Sequence, residues 1–209
     1  MSDTPAQAPA GPRIRTIPAG EDRERLVCPD CGYIAYENPK IIVGSVVSAP
    51  DGRILLCKRA IHPRKGYWTL PAGFMELGES TEEGAAREAW EEARARIRVD
   101  CLLAVYNIPR ISQVQLIYRA GLVSPDVEAG PESEAVALFA WDDIPWKELA
   151  FPSVHWALHE HRARLGQTAF PPASPRRTRP WGFEASGRSQ AAGWRHPAPR
   201  ISPPLAFPP

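Results

Sequence analysis

The stretch GFMELGESTEEGAAREAWEEARA, residues 73–95, carries seven of the chain's 24 acidic residues. Its second half has few alternatives to a helix. Ser80 has the short oxygen-bearing side chain favoured at an N-cap, and Glu83 stands three residues on, the spacing of a capping box. Ala85, Ala86 and Ala89 are strong helix formers and small enough for close packing. The pattern predicts a helix from near Thr81 to about Arg94. On it Glu88, Glu91 and Glu92 fall at i, i+3 and i+4, so three carboxylates crowd one side. Arg87 lies four residues before Glu91, where the two can pair and orient the glutamate.

Like charges at that spacing destabilise a helix by a few tenths of a kcal/mol per pair. A merely solvated face would interleave lysines, yet none occurs between Gly66 and Lys147. A divalent cation resolves the conflict. Mg²⁺ takes oxygen ligands, is often held by one or two carboxylates, and completes its shell with water and substrate phosphate. Carboxylates without Cys or His select Mg²⁺ or Mn²⁺ over zinc.

The same residues carry a family resemblance. The stretch resembles the Nudix box: Gly, five residues, Glu, seven residues, Arg-Glu, an aliphatic, any residue, Glu-Glu, any residue, Gly, an aliphatic. Gly73, Glu79, Arg87, Glu88, Glu91 and Glu92 match in register, with Ala89 and Ala95 as small versions of the aliphatics. At about 7% usage per letter, six such matches arise by chance on the order of 10⁻⁷ per starting point. Arg94 stands where the box has its last glycine, which puts the helix end rather than the metal site in question. YENPKIIVG, LCKRAI, GYWTLPAGFMELGEST, GPE and the IPWKELAFP segment further resemble a subgroup of Nudix hydrolases with an N-terminal zinc ribbon, over residues 20 to about 165.

The resemblance implies an enzyme that hydrolyses a nucleoside diphosphate linked to another group, with Mg²⁺ or Mn²⁺ as cofactor. It assigns the metal to Glu88, Glu91 and Glu92, with the Gly73 carbonyl beside it and Glu79 supporting the loop, through a metal-bound water in one reading. Arg87 positions Glu91. The general base is either a box glutamate or an acid of the later GPESEA loop, Glu132 or Glu134. Lys58, Arg59, Arg64 and Lys65 precede the box and could meet phosphate. Trp68, Tyr67 and Phe74 could stack on adenine or flavin, although packing in the core is the better reading for each taken singly. His62, His155, His159 and His161 show no ligand spacing beyond helical neighbours and receive no role.

Composition divides the rest. Residues 1–24 are rich in Ala, Pro and Arg without apolar periodicity. Residues 167–209 hold ten of the 24 prolines, six arginines and a single acid, Glu184. Both are expected to be disordered, since such segments bury too little apolar surface to offset their ordering entropy. Between them, residues 25–39 read as a partial zinc-ribbon remnant and 40–166 as the catalytic domain. There KIIVGSVVSA and RILLCKR form a hairpin across PDG, CLLAVYNI, VQLIYRAGLV and AVALFAW are further strands, and SVHWALHEHRARL is a second helix. The resemblance makes this an α/β/α sandwich with a mixed sheet. CPDCGY is half of a ribbon, and residues 1–27 contain neither Cys nor His, so Cys28 and Cys31 argue against a closed structural Zn²⁺ site. A homodimer is one way for the pair to find two more ligands. Cys57 and Cys101 read as buried small hydrophobes.

Hydrophobic content of 44%, charged content of 23% and a net charge of +1 are those of an ordinary soluble protein. No apolar run approaches bilayer length, and the N-terminus lacks a secretion signal's pattern. A cytoplasmic protein without membrane partner is expected. The substrates that the subgroup resemblance favours are ADP-ribose and FAD, then NADH. The SQPWPFP array of NADH pyrophosphatases is absent, leaving only ISQVQ, and Pro109 beyond the box favours ADP-ribose. Two alternatives stay open. One is a non-catalytic ADP-ribose-binding regulator. The other is hydrolysis of RNA 5′ ends using the basic tail; the net charge argues neither for nor against a nucleic-acid partner, and none is expected.

Overall fold

The computed structural model describes residues 11–174. The N-terminal unit is a three-stranded antiparallel sheet of β1 (Ile14–Thr16), β2 (Arg25–Val27) and β3 (Ile34–Ala35). A strand thus lies inside residues 11–24, where composition predicts none. Its side chains are exposed, so backbone pairing with β2, not an apolar period, holds it.

The main sheet contains β4 (Lys40–Ser48), β5 (Ile54–Arg59), β6 (Trp68–Thr69), β7 (Ala72–Phe74), β8 (Ile97–Ile108), β9 (Gln113–Leu122) and β10 (Ser133–Phe139). Its order is β10-β5-β4-β9-β8, with β6 on β5 and β7 on β4. β4 and β9 are parallel, from Lys40↔Gln113 to Ser48↔Gly121, and the other pairs are antiparallel, so the sheet is mixed. The β4–β5 hairpin pairs only at Ser48↔Ile54. β4 instead engages β9 and β7, as the crossover demands.

Helices α1 (Thr81–Ala93) and α2 (Pro152–Ala163) cover the sheet. Val46, Leu56, Leu103 and Tyr106 pack with Val154, Ala157 and Leu158 of α2. Val47, Leu55, Cys57 and Leu122 pack with Ala89 and Ala93 of α1. Adjacent residues of β4 and β5 thus face opposite layers, and their apolar runs are continuous because both faces are buried. Each large side chain so buried contributes roughly 1.5–3 kcal/mol. This is the α/β/α arrangement expected. Cys57 is buried as expected, whereas Cys101 is only partly covered.

α1 carries the predicted capping box: Glu83 N–H donates to Ser80 Oγ at 3.2 Å, and Ser80 N–H donates to Glu83 Oε2 at 2.7 Å. The absent glycine does not prevent termination, because Arg94 itself takes the left-handed conformation, φ 50° and ψ 20°. α2 begins with Pro152 at its first turn, where a missing N–H is harmless. Leu165, which the helical spacing places with Val154 and Leu158, lies past the helix end and is exposed. Order continues beyond residue 166. Phe170 packs on the core, and Ala173 exchanges backbone hydrogen bonds with Leu103 and Val105 of β8 at 2.9 and 2.8 Å. The remaining tail lies outside the described residues. No helix among them is long and apolar enough to cross a membrane.

Candidate active site

The site is built where α1 meets the strand-and-loop segment Pro71–Phe74. Gly44 lets that segment cross β4 closely: a Cβ there would lie 2.8 Å from the Pro71 carbonyl. Ser45 N–H donates to the same carbonyl at 3.1 Å. Gly73 repeats the device against α1, since its Cβ would stand 2.5 Å from the Glu88 carboxylate. On the helix, the fully buried Ala85, Ala89 and Ala93 let the backbone approach the sheet. That approach carries Glu88 and Glu92 inward with 8% and 6% exposure.

Arg87 organises the acids. Its Nε and Nη2 donate to the two oxygens of Glu79, each at 2.9 Å. Nη2 also donates to the Phe74 carbonyl at 2.9 Å, and Nη1 donates to Glu88 at 2.8 Å and Glu91 at 2.9 Å. All five guanidinium N–H groups are thereby used. Glu79 also accepts from Glu76 N–H at 2.7 Å. The Arg87 bonds, then this N–H, hold its carboxyl well below the usual range, at about 2. Both Glu79 oxygens are thus engaged, by Arg87 and by the loop N–H of Glu76.

Glu92 accepts one hydrogen bond, from Ala72 N–H at 3.3 Å. Burial, and after it the charge of Glu88, pushes its carboxyl up to about 8. Burial also raises Glu88, though Arg87 opposes the shift. Glu91 stays half exposed. Buried carboxylates that the protein leaves short of positive charge are a donor set suited to a hard dication. Among the described residues no three His, Cys, Asp or Glu side chains are drawn together closely enough to hold a metal ion by themselves. Mg²⁺ is often held by only one or two carboxylates, with water and substrate completing its shell. Glu88, Glu92 and Glu91 fit Mg²⁺ or Mn²⁺ in this way, with the Gly73 backbone alongside.

These residues line a cleft of about 930 Å³. Arg59 lines it too; its Nε donates to the Pro63 carbonyl at 2.8 Å, and its guanidinium lies 5.4 Å from the centre of the Phe151 ring. Of the two loop acids, Glu132 lines the cleft and its charge helps to raise Glu88 and Glu92. Glu134 does not; the bulged register between Ser133 and Ala135 turns it toward Lys65, 3.9 Å away. Arg64 and Trp68 also lie elsewhere. Arg64 covers the Tyr67 ring from a left-handed backbone. Trp68 packs edge-on against Phe139, 4.9 Å between centroids, as part of the core. Phe74 does line the cleft, beneath the Lys40 ammonium.

Sequence reasoning missed several of the residues that line the cleft. Arg110, Gln113 and Gln115 reach the cleft from the β8–β9 turn and β9, and Trp156 enters from α2 beside Phe151. The two glutamine side chains are linked at 3.4 Å. Polar residues alternating with valine in QVQ were the only available signal, and nothing local marks Trp156.

Comparison with known proteins agrees with this geometry. The NUDIX domain profile matches residues 38–160, and the zinc-ribbon profile described as Nudix N-terminal matches residues 10–37. An ADP-ribose pyrophosphatase of Methanocaldococcus jannaschii is 32% identical over 123 residues, 57% of this chain and 71% of that protein. A NAD-capped RNA hydrolase NudC of Pseudomonas aeruginosa is 30% identical over 127 residues, 60% of this chain but only 45% of the relative. The crystal structure of a NUDIX hydrolase from Nitrosomonas europaea superposes with a TM-score of 0.71 at 46% identity, covering 78% of this chain and 93% of that one.

Proposed function

The chain belongs to the Nudix hydrolase family, and from that premise we propose that it is a Mg²⁺- or Mn²⁺-dependent diphosphatase of ADP-ribose or FAD. The observation that carries this reading is the buried Glu88–Glu92 pair in a cleft that Phe74, Phe151, Trp156 and the amides of Gln113 and Gln115 also line. Such a cleft suits a molecule with a diphosphate at one end and a planar base at the other. The naming of one relative as an ADP-ribose pyrophosphatase supports the same choice.

The bound cation supplies charge neutralisation of the diphosphate and a more acidic water. Glu88, Glu92 and the Gly73 carbonyl would hold it, with Glu91 completing the set directly or through water. Arg87 keeps Glu88 and Glu91 oriented. Arg59 and Arg110 offer positive charge to the phosphoryl oxygens. Glu132 accepts the proton of the attacking water as one P–O bond of the diphosphate forms and another breaks. ADP-ribose would yield AMP and ribose 5-phosphate, and FAD would yield AMP and FMN. Phe74 and Trp156 stack on the base, with Gln113 and Gln115 available to its polar edge.

The NudC relatives favour a second reading, hydrolysis at a capped RNA 5′ end. A panel of ADP-ribose, FAD, NADH and NAD-capped RNA, followed by mass spectrometry with and without EDTA, distinguishes them. AMP release from ADP-ribose or FAD that EDTA abolishes is expected. Turnover confined to RNA, and falling steeply with salt, would replace this reading. Binding of ADP-ribose without release of AMP would mark a regulator instead.

A further inference from the structure

The CPDC segment has no part in the catalytic chemistry. Cys28 follows β2 and is buried, whereas Cys31 is exposed. The turn between them is closed by Gly32 N–H donating to the Cys28 carbonyl at 2.9 Å and Cys28 N–H donating to the Tyr33 carbonyl at 2.8 Å. The ribbon profile over residues 10–37 implies structural zinc, which takes four ligands. The residues present do not fit it. Residues 1–27 contain neither Cys nor His, Cys57 is committed to the core under α1, and no third metal-ligating side chain joins the pair among the described residues.

An ion pair ties the start of β1 to the turn. Arg13, beside β1, grips Asp30 inside the CPDC turn with two hydrogen bonds, 2.6 and 2.9 Å. Asp30 in turn accepts from Cys28 Sγ at 3.7 Å. On the other flank, Glu21 takes hydrogen bonds from Arg25 at 3.0 Å and Tyr36 at 2.7 Å. The fold is therefore closed without spending either sulfur. Cys31 is exposed and Cys28 is buried, with only the weak Asp30 contact on its sulfur, and the two stand in the C-x-x-C spacing of dithiol redox centres.

We infer that Cys28 and Cys31 form a reversible dithiol–disulfide couple in place of half a zinc site. The backbone N–H groups of Asp30 and Cys31 face the Cys28 sulfur and favour its thiolate. The oxidant is a small disulfide of the glutathione class. The exposed Cys31 thiolate attacks one of its sulfurs, forming a mixed disulfide and releasing one thiolate. Cys28 thiolate then attacks the Cys31 sulfur, forming the Cys28–Cys31 bond and releasing the second thiolate. The pair loses two electrons and two protons, and the small disulfide gains the electrons.

The test is intact-mass and peptide-mapped spectrometry of the full chain treated with oxidised glutathione, with metal analysis of the same preparation. A loss of two hydrogens, mapped to a Cys28–Cys31 link, reversed by dithiothreitol and without co-purifying zinc, is expected. Cys28→Ser should halt at a glutathionyl adduct on Cys31, and Cys31→Ser should form no internal link. Zinc bound at one per chain, or one per two chains, would overturn the inference. So would full alkylation of both thiols after the oxidant.

Discussion

Glu88 and Glu92 stand one helical turn apart with both carboxylates buried, yet the Arg87 guanidinium bonds to Glu88 at 2.8 Å and makes no hydrogen bond to Glu92. The unevenness leaves Glu92 as the acid whose charge the folded protein supports least, and a pH dependence follows. Its carboxyl is raised to about 8 in the folded state, against ~4.3 in the unfolded chain. A raised acid favours folding while protonated. Its contribution is therefore full below the unfolded value and is lost as pH rises from there through about 8. In EDTA the melting temperature should fall over that window. Glu92→Gln should remove the fall, gaining up to about 5 kcal/mol at the upper end, and Mg²⁺ should flatten it in the parent. Calorimetry across pH, with and without Mg²⁺, checks this. A parent slope that neither Mg²⁺ nor the substitution changes would refute it.

Arg87 joins Glu79, Phe74, Glu88 and Glu91 through one guanidinium, so Lys cannot replace it. Arg87→Lys should lower kcat/KM by about 10–100-fold, as loss of a partner that orients metal ligands usually does. The Mg²⁺ concentration for half-maximal rate should rise with it. Glu92→Gln should be at least as damaging, about 100-fold or more, without unfolding the domain. Steady-state kinetics over a Mg²⁺ series separates the two effects.

The loop acids make opposite predictions. Glu132 faces the cleft and Glu134 faces Lys65. Glu132→Gln should reduce kcat by about 10²-fold or more, the range for a lost general base, with KM little changed. Glu134→Gln should stay within about two-fold of the parent rate, as expected of a surface change. The reverse ranking would return the base to Glu134.

His161 provides a control remote from the acids. It is buried in α2 with an unpartnered Nδ1, and burial followed by the nearby Arg119 charge depresses it to about 4. A depressed base favours folding while neutral. Its contribution is complete above ~6.5, the unfolded value, and is lost as pH falls toward about 4. That loss is worth up to about 3 kcal/mol. His161→Leu should flatten the melting temperature across this acidic window without altering the rate at pH 8. Melts from pH 4 to 7 would show it.

How legible each part was follows from how far apart its partners lie. Ser80 and Glu83 are three residues apart, and Arg87 and Glu91 four, so one helical turn predicts both contacts. Trp68 sits beside the box in sequence, where stacking and core packing were both open, and the β5–β6 pairing and Phe139 hold it against the core. Gln113 and Gln115 come to the cleft only because β9 runs parallel to β4, beside Lys40 and Ile42. That pairing spans more than seventy residues and leaves no local trace.

Local chemistry in the chain was enough to specify the α1 helix, its cap, and the order of Arg87, Glu88, Glu91 and Glu92 around it, since caps and helical spacing involve neighbours within one turn. Tertiary structure alone decided which carboxylates lose water, which loop acid looks into the cleft and what else lines it. Desolvation depends on what distant strands and loops bring alongside a charge, and a list of neighbours along the chain does not contain that information.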